Sequence, residues 1–480
     1  MRLGASAAWL GGCTLASQVL LLGSLPLIAR LFGPEQFGIY TLFVGALAVA
    51  GVFVGLRYES AAVVAESDRE AAVLVVVVLL SGVAMALLTL LVAALLQVGW
   101  PRRSAELGVN GLGVALALAL VATAVQRSVV AWGTRRGGFR LLGLSQLGFN
   151  VLMIGTQLAG AVLFAASART LAWGHAVALA LSSSVAFAFV FAGQRRLLWR
   201  GLGLRRLVTL GKRFQRFPAF MIPYGLMSTV RERTTQFMLG GVAGASVLGQ
   251  FALAWRVTSA PNSLVYAALG PAFFGAAARG SRDGNEQLAV QLVRLSAVLL
   301  VPAFAFLAVE ARTLAAWMFG EEWGASGRMI MLLAIPMLTL AATGWLDRLF
   351  DVYQQQPAAL ALEAGFTALV VSAVAVGLKV DSSGLVAIGA FAALSAIYYH
   401  LYVWVAFRRA RMSLVGIARV AATAWLGAAA YAALAAWCSG NLPFAMRVLV
   451  WLAVQSLAGG AWLLYGGGWH ALRSSIREHR

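Results

Sequence analysis

Cysteine, lysine, histidine and acidic residues are all scarce in this chain of 480 residues. The two cysteines, Cys13 and Cys438, lie in or at the end of apolar runs, which excludes a disulfide framework and a cysteine-based metal site and leaves them as small hydrophobes. His175, His400, His470 and His479 are scattered without metal-ligand spacing. No nucleophile, base and orienting group recur at a spacing that fits hydrolysis or glycosyl transfer, and no outer loop is long enough for a separate catalytic domain. Residues 244–250 superficially look like a phosphate loop, but the Lys-Ser/Thr ending and the strand-loop-helix setting are missing, so the stretch reads as a hairpin. Neither a metal nor a cofactor is expected. Charge is thin at 11% and lopsided, with 37 basic residues against 17 acidic ones for a net +20, and every basic residue except Lys212 and Lys379 is arginine. A nucleic-acid binder gathers such charge on one solvated face, whereas here it is spread over short loops between apolar runs. Nucleic acid is therefore not an expected partner.

Hydrophobic sequence fills the chain instead, at 61% of residues and a mean hydropathy of +0.84. That composition belongs to a polytopic membrane protein. A helix needs about 20 apolar residues to cross about 30 Å of hydrocarbon. Fourteen stretches qualify: 7–28, 39–64, 71–98, 111–132, 142–166, 171–192, 219–239, 251–277, 288–309, 329–349, 358–378, 385–407, 417–437 and 448–464. The first is preceded by Arg2 alone and followed by Arg30 rather than a small-residue cleavage site, so it reads as a retained span. The expected fold class is an all-α polytopic membrane protein of about 14 transmembrane helices. Counting Lys and Arg in the loops puts both termini in the cytoplasm. Roughly 22 of the 37 basic residues fall on that side, including Arg135, Arg136, Arg140, the run from Arg195 to Arg216, and Arg408, Arg409 and Arg411, against about eight opposite.

The run from Arg195 to Arg216 is also the best internal boundary, a positive-inside linker with the makings of an amphipathic helix on anionic lipid. It divides an N-terminal six-helix lobe (1–193) from a second (219–412), with the linker at 194–218 and two further spans plus a cytoplasmic tail at 413–480. A weak internal echo supports two parallel repeats. Phe37-Gly38-Ile39-Tyr40-Thr41-Leu42 after the first span resembles Leu248-Gly249-Gln250-Phe251-Ala252-Leu253 after the seventh, and the turn at 67–70 resembles that at 282–286. Two such halves are expected to rock about a central site.

The charges inside the spans carry the functional reading, because ionisable groups at that depth are costly and face a bundle interior or a wet cavity. Arg231, Glu232 and Arg233 fall about midway along the seventh span, and Arg256 about two turns inside the eighth. At 100° per residue, Tyr224, Ser228, Arg231, Glu232 and Thr235 share a face while Arg233 points away toward Thr229 and Gln236. Arg256, Ser259, Ser263 and Tyr266 form a second polar stripe. Arg30 at the outer end of the first span, Arg57 near the inner end of the second, and Arg127 inside the fourth extend a path of positive charge. Guanidinium suits a phosphate-bearing ligand, since it stays charged and offers a bidentate fork. The alternative for each arginine is an internal ion pair, such as Arg57 with Glu59 or Arg231 with Glu232, or snorkelling by Arg30. Asp347, Asp351 and Glu363 flank the turn after the tenth span, with Asp347 and Asp351 on one face at i and i+4, as candidates for a coupling cation or proton or as a solvated helix end.

Several of these stretches resemble the oligosaccharide flippases of the polysaccharide biosynthesis (Wzx-type) family, within the MOP exporter superfamily of lipid II flippases and multidrug MATE transporters. They are Arg30-Leu-Phe-Gly-Pro-Glu-Gln-Phe-Gly38-Ile-Tyr40, Leu56-Arg57-Tyr58-Glu59-Ser60-Ala61 with Asp68-Arg69-Glu70, Gly249-Gln-Phe-Ala-Leu-Ala-Trp-Arg256 with Pro261, and Phe319-Gly-Glu-Glu-Trp323. The resemblance implies two six-helix lobes around a central cavity, and a flippase that moves an undecaprenyl-pyrophosphate-linked oligosaccharide from the cytoplasmic to the periplasmic leaflet of the bacterial inner membrane. Surface polysaccharide (O-antigen, capsule or exopolysaccharide) is the implied product, and a glycan polymerase a candidate partner. In lipid II flippases cavity arginines on the first, second and eighth spans engage the headgroup, and Arg30, Arg57 and Arg256 occupy comparable spans here. A cation-coupled multidrug exporter of the same fold is the alternative, and it would want an acidic interior. A membrane glycan polymerase or ligase is the enzymatic alternative, disfavoured by the short outer loops.

Overall fold

The computed structural model describes residues 2–99, 101, 109–193 and 203–465. Every regular element among them is helical, as a lipid-embedded backbone requires when water cannot satisfy it. Ten helical stretches among the described residues are long and apolar enough to cross a membrane. One of them, Gly11–Val64, holds two of the fourteen expected segments on either side of a break at Gly33 (φ 66°, ψ 168°). The remaining three are α8, α9 and α16 below. The chain is a multi-pass membrane protein.

Contacts divide the chain into two compact units, residues 1–252 and 253–480. The first unit contains α1 (Arg2–Phe53), α2 (Tyr58–Val64), α3 (Asp68–Gly99), α4 (Val109–Arg135), α5 (Phe139–Leu163), α6 (Ala168–Val190), α7 (Leu204–Arg213) and α8 (Arg216–Met238), and the first turns of α9 (Ala245–Ala277). Helix α4 packs between α3 and α6, while α1 packs on α5 and α8. The second unit holds the rest of α9, then α10 (Arg282–Phe319), α11 (Gly324–Thr343), α12 (Arg348–Val352), α13 (Gln356–Val380), α14 (Leu385–Arg409), α15 (Leu414–Asn441) and α16 (Phe444–Tyr465). Helix α10 is its hub, touching α11, α15 and α16. Serine side chains mark three helix starts by accepting from backbone N–H groups: Ser167 from Thr170, Ser281 from Gly284 and Ser413 from Val415.

The expected hairpin at 244–250 is shorter than the sequence implies. A five-residue π-helical turn, Leu239–Ala243, and Gly244 (φ 94°) make the reversal, and Ala245 already opens α9. This early start lets the two echoing motifs meet. A Cβ on Gly38 would lie 1.7 Å from the Ala245 carbonyl oxygen, and one on Gly249 would lie 1.8 Å from the Pro34 carbonyl oxygen. Each glycine therefore seats the carbonyl four residues before the other, and both pairs are offset by 211 positions (245 − 34 and 249 − 38).

Candidate functional site

The second expected span is not continuous. Gly55, Leu56 and Arg57 take φ values of 78°, 49° and 62°, so α1 ends and α2 begins across a sharp break, Val54–Arg57. Left-handed backbone is free for glycine but costs about 1–2 kcal/mol for each residue with a side chain. The surroundings hold the break open. Arg127 of α4 donates through Nη1 to the Val54 carbonyl, and the same nitrogen meets Glu59 Oε1 at 3.2 Å. On the other side Gly55 N–H donates to Ser81 Oγ at 2.7 Å.

The residues after the break reach three different elements. Arg57 lies against α8, where a Cβ on Gly225 would stand 2.2 Å from its Nη2. Tyr58 donates its hydroxyl to the Gly211 carbonyl of α7 at 3.0 Å. Glu59 turns to Arg127, so the partner of this carboxylate is Arg127 and not the neighbouring Arg57 that sequence proximity offered. Two polar atoms here are buried without a hydrogen-bond partner, Arg57 Nε and Glu59 Oε2. The cluster of Arg57, Arg127 and Glu59 carries one more positive than negative charge within the helical bundle, in a medium where an anion would be held strongly.

Arg30 is exposed on the α1 segment before Gly33. Between Gly33 and the second break the chain runs as a helix from Pro34 to Phe53, about 30 Å of rise, so Arg30 and Arg57 flank opposite ends of that segment. The side chains of Tyr224, Ser228, Arg231 and Glu232 lie outside the described residues. Arg233 on α8 donates to Gln236 Oε1 at 3.0 Å, the flanking contact that its helical position implies.

In the second unit Arg256 and Ser259 are half-buried on α9, Ser263 is exposed, and Tyr266 joins a network. The Tyr266 hydroxyl donates to Asp347 Oδ2 at 2.8 Å and accepts from Arg348 Nη2 at 2.8 Å. Arg348 also binds Asp351 at 3.3 Å and lies over the rings of Tyr266 and Phe274, each 5.7 Å from its guanidinium carbon. Asp347 ends the 3₁₀ turn Gly344–Asp347 and precedes α12, so it does not share one regular helix with Asp351. Arg348 has a signal in the sequence, since an Asp-Arg-x-x-Asp run sets a cation between two carboxylates. Glu363 accepts from Tyr398 at 2.9 Å, and Tyr398 stacks on Phe366 at 3.9 Å.

A further pair was invisible to sequence reasoning. Glu310 of α10, 1% exposed, receives both of its bonds from Arg447 Nη1 of α16, at 2.7 and 2.9 Å. The same helix donates from Trp451 to the Pro302 carbonyl at 3.2 Å and from Gln455 to the Leu299 carbonyl at 2.8 Å, using the region around a proline in α10.

This helical arrangement is the fold of a lipid II flippase and of MATE transporters. It is similar to a lipid II flippase, MurJ, in an inward closed conformation (TM-score 0.68, 11% identity, covering 95% of this chain and 98% of that one). It is also similar to an inward-facing multidrug resistance MATE family transporter of the MOP superfamily (TM-score 0.56, 16% identity, 86% and 94% covered) and to a eukaryotic MATE transporter (0.53, 13%, 87% and 99%). No curated protein sequence matches the chain. The profile of the polysaccharide biosynthesis protein family matches residues 27–327, and the chain belongs to that family.

Proposed function

We propose that the protein is a flippase that carries an undecaprenyl-pyrophosphate-linked oligosaccharide from the cytoplasmic to the periplasmic leaflet of a bacterial inner membrane by alternating access, for surface polysaccharide synthesis. The arginine distribution supports a cytoplasmic position for both termini. The observation that carries the reading, beside family membership, is the positive balance of the Arg57, Arg127 and Glu59 cluster within the bundle. Arg57 and Arg256, with Arg30 and Arg231, would hold the pyrophosphate through guanidinium forks. Arg127 would act by fixing the break that presents Arg57. Tyr224, Ser228, Glu232, Ser259 and Tyr266 would border the headgroup, and Asp347, Asp351 and Glu363 are the candidates for ion coupling.

The test is export of the lipid-linked glycan by a deletion strain carrying variants at normal expression. Arg57→Ala and Arg256→Ala are each expected to lower export at least about tenfold, the scale of one lost charge-assisted contact. Export unchanged by both would sink the site. Reconstitution into liposomes, with and without ion gradients, separates glycan transport from cation-coupled drug efflux by the same fold. Single repeat units reaching the surface in the deletion strain would point instead to a polymerase.

A further inference from the structure

The basic linker is a strongly charged surface that the proposed transport path leaves unused. Its helix α7 is amphipathic, and Leu210, with Phe214 and Phe217 beyond the helix, packs on the core that includes Tyr58, Ala62 and Trp132. Polar bonds pin it there. The Tyr58 hydroxyl holds the Gly211 carbonyl, and Arg213 reaches Glu70 at 2.9 Å and Glu66 at 2.5 Å. An interfacial amphipathic helix ordinarily gives its apolar face to lipid. In α7 Leu210 is turned to protein instead, while Arg205, Arg206 and Lys212 of α7 and Arg216 at the start of α8 are all exposed, alongside Val208 and Thr209. None of the four has an ion-pair partner among the described residues. No acidic residue occurs between positions 194 and 218, and the carboxylates the linker does meet, Glu66 and Glu70, are held by Arg213.

We propose that this outward face, Arg205, Arg206, Lys212 and Arg216, is a docking surface for anionic phospholipid headgroups of the cytoplasmic leaflet. Phosphodiester groups match guanidinium donors, and an anionic leaflet attracts basic segments held close to it. An acidic protein segment would meet the same charges. Lipid is the better occupant because α7 is pinned beside the turn that joins α2 to α3, at the ends of two apolar helices, where headgroups are always at hand. The inference rests on the cytoplasmic placement of the linker and not on the identity of the transported glycan.

The experiment uses full-length protein in nanodiscs, with Val208→Cys carrying an environment-sensitive fluorophore. Val208 is 49% exposed, and Cys13 and Cys438 are buried. Access of an aqueous quencher is expected to fall as phosphatidylglycerol replaces phosphatidylcholine, and added salt is expected to restore it. The variant with all four residues changed to Gln should lose this protection at least about fivefold, the effect of even one basic side chain near an anionic surface. Should that variant fail to fold, Lys212→Glu alone is expected to lower the protection in the same direction. Protection equal in both lipids, or unchanged by removing the four charges, would overturn the assignment. Protection by an acidic peptide that phosphatidylglycerol does not reproduce would make protein the occupant and overturn it as well. Impermeant thiol labelling of Val208→Cys in intact cells and inverted vesicles keeps topology separate: labelling from the outside alone would overturn the placement of the linker, whatever the fate of the glycan reading.

Discussion

Arg127 meets two needs that the break at Val54–Arg57 creates, a donor for the Val54 carbonyl and a counter-charge for Glu59. Both partners are largely buried, with the Arg127 side chain 25% and the Glu59 side chain 14% exposed. Removing one member of such a pair leaves an uncompensated charge at a cost of about 3 kcal/mol or more, while removing both costs far less. Arg127→Gln is therefore expected to lower the melting temperature in detergent clearly, and Glu59→Gln is expected to cost less in the Arg127→Gln background than alone. Additive losses would show that the two do not act as a pair. Glu59 was visible in the sequence as an acid beside Arg57, but its partner lies 68 positions away, a separation that only tertiary packing closes. The same limit hid Glu310 and Arg447, separated by 137 positions.

At the scale of elements, hydropathy located the helices because lipid burial demands long apolar runs whatever the tertiary contacts are. It could not locate the breaks. Val54–Arg57 contains a single glycine, and Leu56 and Arg57 enter left-handed backbone only because Arg127 and Ser81 take the polar groups that the break releases. The glycines of residues 244–250 read as a turn for a related reason, yet Gly249 serves a close helix contact inside α9. Helix α16 is fastened to α10 by the Glu310–Arg447 pair and two indole or amide bonds to backbone carbonyls. Glu310→Ala is expected to destabilise the protein by about 3 kcal/mol or more through the stranded Arg447. Arg447→Met combined with Glu310→Leu should recover most of that loss, as read by thermal unfolding; no recovery would mean that the loss comes from packing and not from charge.

For the whole molecule, the net charge of +20 is carried almost wholly by arginine, and the arginines divide into several trades. Arg127, Arg348 and Arg447 are bound by the chain's own carboxylates, Arg213 anchors the linker, and Arg205, Arg206 and Arg216 face outward. Composition alone cannot sort them, since pairing depends on what folding brings alongside. The contact between Gly38 and Gly249 joins residues 211 positions apart, farther along the chain than any ion pair described above. Gly249→Ala would place a methyl group where the Pro34 carbonyl stands, and it is expected to reduce both melting temperature and export, whereas Gly23→Ala, with no atom within 4 Å, is expected to leave both nearly unchanged. Equal behaviour of the two variants would count against close approach at Gly249. Glycine and carbonyl meet there by fit, each at a distance that no Cβ could occupy. The reciprocal seating also fixes one register between the two segments, since a slip of either by a single residue would bring a side chain against a backbone carbonyl.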